Sequence, residues 1–109
     1  MANQQTVNYP TPNATSATAP DGRLTVSSSA VLCSTATGYS ANADTKFIIW
    51  DVQDNDVMVT FDGSTPTSTN GHRLYVGDKD MWHIDTFRKA TVIRAGSADG
   101  TMHFSQFTY

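Results

Sequence analysis

From Leu24 onward, short runs of β-branched and aromatic residues are separated by Gly, Asp, Asn and Pro. Leu24 and Val26 alternate with Thr25 and Ser27, the pattern of a half-buried strand running to Ser28, and a second short strand is expected across 30–36. The strongest signal lies between Lys46 and Phe61. Two apolar runs, Phe47 to Val52 and Val57 to Phe61, flank Asp54-Asn55-Asp56, residues that tolerate left-handed backbone, so the stretch reads as a β-hairpin. Further strands are predicted over 72–76, 81–85, 91–95 and 101–109, separated by turns at Asp62-Gly63, 77–80 and 96–100 and by a loop at 65–71. In the second of these runs Trp82 and Ile84 share one face, and Met81, His83 and Asp85 the other. The segment from Asp85 to Lys89 reads as a single helical turn capped by Asp85 or Thr86, too short to belong to the core.

Seven or eight short strands with turn signals roughly every 8–12 residues, and no amphipathic helix, predict an all-β fold, an antiparallel β-sandwich. A jelly roll is the preferred topology. An immunoglobulin-like sandwich is the second, though the cysteine pair that would mark it is missing.

The first 20 residues are different in kind. They are rich in Asn, Gln, Thr, Ala, Ser and Pro, with Val7 and Tyr9 as large apolar side chains and Pro10, Pro12 and Pro20 opposing helix. We read residues 1–20 as an extended N-terminal arm and 21–109 as one β-sandwich domain. Val7 and Tyr9, flanked by Pro10 and Pro12, are the residues expected to dock the arm on a neighbouring molecule; a leader without a role is the blander reading.

Composition removes several function classes. Charged residues are only 16% of the chain, the formal charge is -3 and no Lys/Arg cluster occurs, so nothing offers a footprint for nucleic acid. No apolar run reaches membrane-spanning length, and the start lacks the basic and apolar regions of a secretory leader, so synthesis in a cytoplasm is expected. The single cysteine, Cys33, cannot form an intrachain disulfide and reads as a small buried thiol. His72, His83 and His103, with Asp62, Asp78, Asp80 and Asp85, lack the close ligand pairs of a metal site. Asp54-Asn55-Asp56 resembles the start of a calcium loop, but the chain contains no glutamate to complete one. No cofactor and no acid, base or nucleophile constellation is expected. Trp50, Trp82, Tyr39, Tyr75 and Tyr109 serve either core and interface packing or a platform for sugar, and Tyr75 and Trp82 are the candidates for exposed aromatic contacts.

The run of residues 42–44, then Asp54-Asn55-Asp56-Val57-Met58-Val59-Thr60-Phe61-Asp62-Gly63, then Thr69-Asn70-Gly71-His72-Arg73-Leu74 and Gly77 resembles small β-sandwich virion proteins of tailed bacteriophages, of the capsid-decoration, cement or head-fibre type. The likeness covers roughly Ala41 to Tyr109 and rests on turn and strand chemistry. It implies a structural protein located in the virion, assembled in the host cytoplasm, that binds the major capsid protein or other virion proteins as a homotrimer. A carbohydrate- or receptor-binding fibre module is the rival function, and a neck or tail adaptor a third.

Overall fold

The computed structural model describes residues 21–108, so the expectations for Val7, Tyr9, Pro10 and Pro12 lie outside the described residues. Among the described residues eight strands run in chain order: β1 (Gly22–Val26), β2 (Val31–Leu32), β3 (Phe47–Gln53), β4 (Val57–Thr60), β5 (His72–Leu74), β6 (Lys79–His83), β7 (Thr91–Arg94) and β8 (Gly100–Phe107). A short α-helix, α1 (Ile84–Lys89), lies between β6 and β7. The strands form two four-stranded antiparallel sheets, ordered β1-β8-β3-β6 and β2-β7-β4-β5. First pairs with last, second with seventh, third with sixth and fourth with fifth. This is one long two-stranded ribbon rolled up on itself, the jelly-roll arrangement of a β-sandwich.

That order overturns the expected hairpin. β3 and β4 are not paired; they are central strands of opposite sheets, β3 between β8 and β6 and β4 between β7 and β5. Both are strongly apolar because each is flanked on both sides and faces the same interior. Ile48, Trp50 and Val52 reach that core from one sheet, Val57 and Val59 from the other. The turn residues behave as their chemistry suggests: Asp54 adopts φ 71°. They carry the chain across the sandwich instead of folding it back in one sheet. The true hairpin is β4–β5, closed by the loop at 61–71.

Other expectations change as well. The strand anticipated across 30–36 is reduced to Val31–Leu32, after which Cys33–Thr35 winds into a 3₁₀ turn that buries Cys33 completely. The segment after β6 is a helix that begins at Ile84, ending the strand alternation at His83. Its cap is His83, whose Nδ1 accepts the Asp85 N–H at 3.1 Å, not Asp85 or Thr86. It also belongs to the core, with Phe87 fully buried and Ile84 nearly so. The Phe87 ring meets Phe104 edge-on at 5.1 Å and Tyr39 at 5.0 Å, plugging the end of the sandwich that the strands leave open. Length is a poor guide here, because one turn with apolar residues three apart can bury both.

One buried polar side chain of β8 is matched at both ends of its amide. Gln106 on β8 is buried, its Oε1 accepting from the Thr45 hydroxyl at 2.7 Å and its Nε2 donating to the Ser40 carbonyl at 3.0 Å. These bonds fasten the long connection from β2 to β3 against the sheet.

Replacing Phe87 by Ala removes a fully buried ring from the meeting point of helix and sheet, and is expected to cost roughly 3–5 kcal/mol in a urea-unfolding measurement. Arg88→Ala on the exposed side of the same turn should shift stability by no more than about 0.5 kcal/mol. Equal small effects would show that the helix lies outside the core.

Candidate functional site

The loops between β3 and β4, β5 and β6, and β7 and β8 gather at one end of the sandwich, and Asp56 joins them. Its Oδ2 accepts from Arg73 Nε at 3.0 Å and Nη2 at 2.8 Å, and its Oδ1 accepts the Val76 N–H at 2.8 Å. Its carbonyl accepts the Ala95 N–H at 3.0 Å. Asn55 Nδ2 donates to the Asp99 carbonyl at 2.9 Å, and Arg94 Nη1 to the Asp99 carboxylate at 2.9 Å. The Thr101 hydroxyl donates to Asp54 Oδ2 at 2.6 Å. Asp54 Oδ2 and both Asp56 carboxylate oxygens are thus directed at protein donors. A hollow of about 210 Å³ lies among Asn55, Asp56, Arg73, Val76 and Ser97.

Among the exposed polar groups of this end, two large apolar side chains stand out. Tyr75 is 56% exposed and Val76 51% exposed, on a turn held by the Asp78 carboxylate accepting the Tyr75 N–H at 2.8 Å and by the Gly77 N–H donating to the Val52 carbonyl at 2.9 Å. The Arg73 guanidinium lies over the Tyr75 ring at 5.4 Å while it pairs with Asp56. The turn is ordered before any partner arrives, so little further ordering is needed on contact.

Of the two aromatic candidates, Tyr75 stands out on this surface. Trp82 is half-buried and packs on the core, 4.9 Å from the Trp50 ring and edge-on to Phe61 at 5.3 Å. The two have different neighbours and lie beyond opposite ends of β5, Trp82 meeting Phe61 near its start and Tyr75 following its last residue. Val76 was not visible as a site residue in the sequence, because an apolar residue in a strand-like run is ordinarily a core residue.

The histidines are held apart. His83 caps α1, His103 Nδ1 lies 3.4 Å from Asp51 Oδ1, and His72 leans on the Phe61 ring at 5.8 Å. No group of three or more metal-ligating side chains is found among the described residues. Burial pushes the Cys33 thiol up to about 12, so it stays protonated at physiological pH.

The Val76 N–H and the Arg73 guanidinium hold the Asp56 carboxyl below its ordinary value. A carboxyl depressed in the folded state contributes stability above its unfolded value, near 4, that is lost as pH falls through the lower folded value. Asp56→Asn is therefore expected to lower the urea midpoint at neutral pH, and to flatten the wild-type decline on acidification below about pH 4. Asp62, also depressed, keeps part of that decline in the variant. Parallel midpoint curves for the two proteins would remove Asp56 from this role.

Comparison of the chain with known protein families, with curated protein sequences and with solved structures gives no match.

Proposed function

We propose that this chain is a non-enzymatic structural protein of a tailed-bacteriophage virion, a capsid decoration or cement protein that stabilises the head lattice as a homotrimer bound to the major capsid protein. The reading is carried by the jelly-roll strand order, built around the same turn and strand residues on which the resemblance rests. Asp54 to Gly63 make the crossing between sheets, β4 and the start of the next loop, and Gly71 to Leu74 make the entry to β5 and the strand itself. Double-sheet jelly rolls serve capsids and also lectins and enzymes, so the fold supports the reading by analogy.

A lattice-binding protein needs a surface that holds its shape, and the turn bearing Tyr75 and Val76 supplies one. An ordered Tyr beside a second apolar side chain is the kind of anchor on which interface energy concentrates. The arm adds a second contact through Val7 and Tyr9, with Pro10 and Pro12 limiting the entropy lost on docking. Burying one such side chain is worth roughly 1.5–3 kcal/mol, and repetition over a trimer raises the apparent affinity through effective concentration.

Microscopy and protein quantification of the intact particle test the assignment. A copy number that scales with the head lattice is expected; a few copies confined to the neck or tail would refute it. Tyr75→Ala and deletion of residues 1–20 should each leave the β-domain folded and weaken retention on decoration-free particles by about tenfold or more. Wild-type retention in both would discard these contacts.

A further inference from the structure

At the other end of β5, the loop joining it to β4 walls an open hollow of about 610 Å³, within the roughly 300–1,000 Å³ usual for small-molecule sites. One wall is aromatic. Phe61 continues the inward-facing set of Val57 and Val59 to the mouth between the sheets, where Trp82 of the opposite sheet backs its ring edge-on and His72 lies against it, tilted by 34°. The other wall is a loop that holds its own shape. The Ser64 N–H and hydroxyl both donate to Asp62 Oδ1, at 3.0 and 2.6 Å, and the Thr60 hydroxyl donates to the Ser64 carbonyl at 2.6 Å. Thr67 and Asn70 exchange backbone hydrogen bonds at 3.0 and 3.3 Å. Gly71 follows with φ 135°, so close to the Val59 carbonyl that a side chain would sit 2.9 Å from it.

Three polar side chains lining the hollow remain open. Among the described residues, Asp62 Oδ2 accepts no hydrogen bond from another residue, and the Asn70 amide and His72 imidazole make none; all three groups are exposed. Together they offer an anionic acceptor, an amide that both donates and accepts, and an imidazole beside an aromatic face. Inorganic anions are disfavoured, because Asp62 lines the hollow and, among the described residues, no Lys or Arg does. Metal ions are disfavoured too, since one carboxylate is too few oxygen ligands. A ligand with several neutral hydroxyls on one side and a C–H face on the other satisfies every group present. We propose that this hollow binds a neutral saccharide, with adjacent sugar hydroxyls shared among Asp62, Asn70 and His72 and the apolar face of the ring against Phe61. The site is independent of where the protein sits in a virion, and its test stands or falls apart from that reading.

The experiment is amide-resolved NMR of the full chain, titrated separately with millimolar glucose, galactose, mannose and N-acetylglucosamine, and with inorganic phosphate as the anionic probe. Saturable shifts confined to residues 60–72 with at least one of the sugars, and none with phosphate, are expected. Asp62→Asn keeps the oxygen that accepts from Ser64 and so preserves the loop, which unchanged amide positions elsewhere would verify. It should weaken binding by about tenfold or more, the size of losing one hydrogen bond to a charged group. Asn70→Ala, which removes no hydrogen bond made by the side chain within the fold, provides a second variant with the same expected direction. The proposal is overturned by absence of saturable shifts with all four sugars, by a saturable response to phosphate, by shifts centred outside the loop, or by wild-type affinity in both variants.

Discussion

The crossing of the chain from one sheet to the other at Asp54, Asn55 and Asp56 is the constraint on which the rest depends. Two successive apolar strands must face one interior from opposite sides, so the backbone has to leave one sheet and enter the other within three residues. It does so by pressing against β8: a side chain at Gly100 would lie 2.5 Å from the Asn55 carbonyl and 2.9 Å from Val57. Only glycine fits there. The left-handed Asp54, its bond from the Thr101 hydroxyl and the Asp56 hydrogen bonds to Arg73 and Val76 then hold the crossing in one shape. Once β3 and β4 lie in different sheets, β8 joins β3 and β7 joins β4, and the rolled ribbon follows.

One carboxylate that secures the crossing also fixes the surface beside it. Asp56 binds the backbone of the turn that bears Tyr75 and Val76, and Asp78 binds it from the other side. Stability and presentation of an apolar contact are therefore coupled at this end. At the opposite end of β5 the loop is held by its own hydrogen bonds, and the open groups are polar. The sandwich thus offers two rigid surfaces of different chemistry, one suited to protein contact in the proposed virion role and one to a hydroxyl-rich ligand. Both depend on loops held by hydrogen bonds within the protein, and at both the exposed groups that stand out are side chains.

Much of the fold was legible in the sequence. Strand alternation at Leu24 and Val26, the apolar runs of β3 and β4, and the turn residues between them depend on neighbours a few positions apart, and these local preferences survive folding. The helix was half legible: its extent was nearly right, but Phe87 looked like one aromatic in a polar turn, because its partners Tyr39 and Phe104 are remote in sequence. Of the site residues, Tyr75 was marked in the sequence as a candidate exposed aromatic contact. Val76 carried no such signal, and Asp62, Asn70 and His72 looked like separate turn and strand residues. Trp82 was legible as an aromatic outside the most apolar runs, but its packing on Trp50 and Phe61 was not.

By itself the sequence determined the β class, the positions of most strands and the places where the chain turns, since hydrophobic period, β-branching and left-handed tolerance are properties of short segments. Tertiary structure alone decided which strands pair. Asp54-Asn55-Asp56 suits a hairpin and a crossing between sheets equally well, and the choice falls to burial. Pairing β3 directly with β4 would place both strands in one sheet, whereas separating them lets Ile48, Trp50 and Val52 face Val57 and Val59 across a common core. That gain comes from surfaces brought together over long stretches of chain, and no local pattern encodes it.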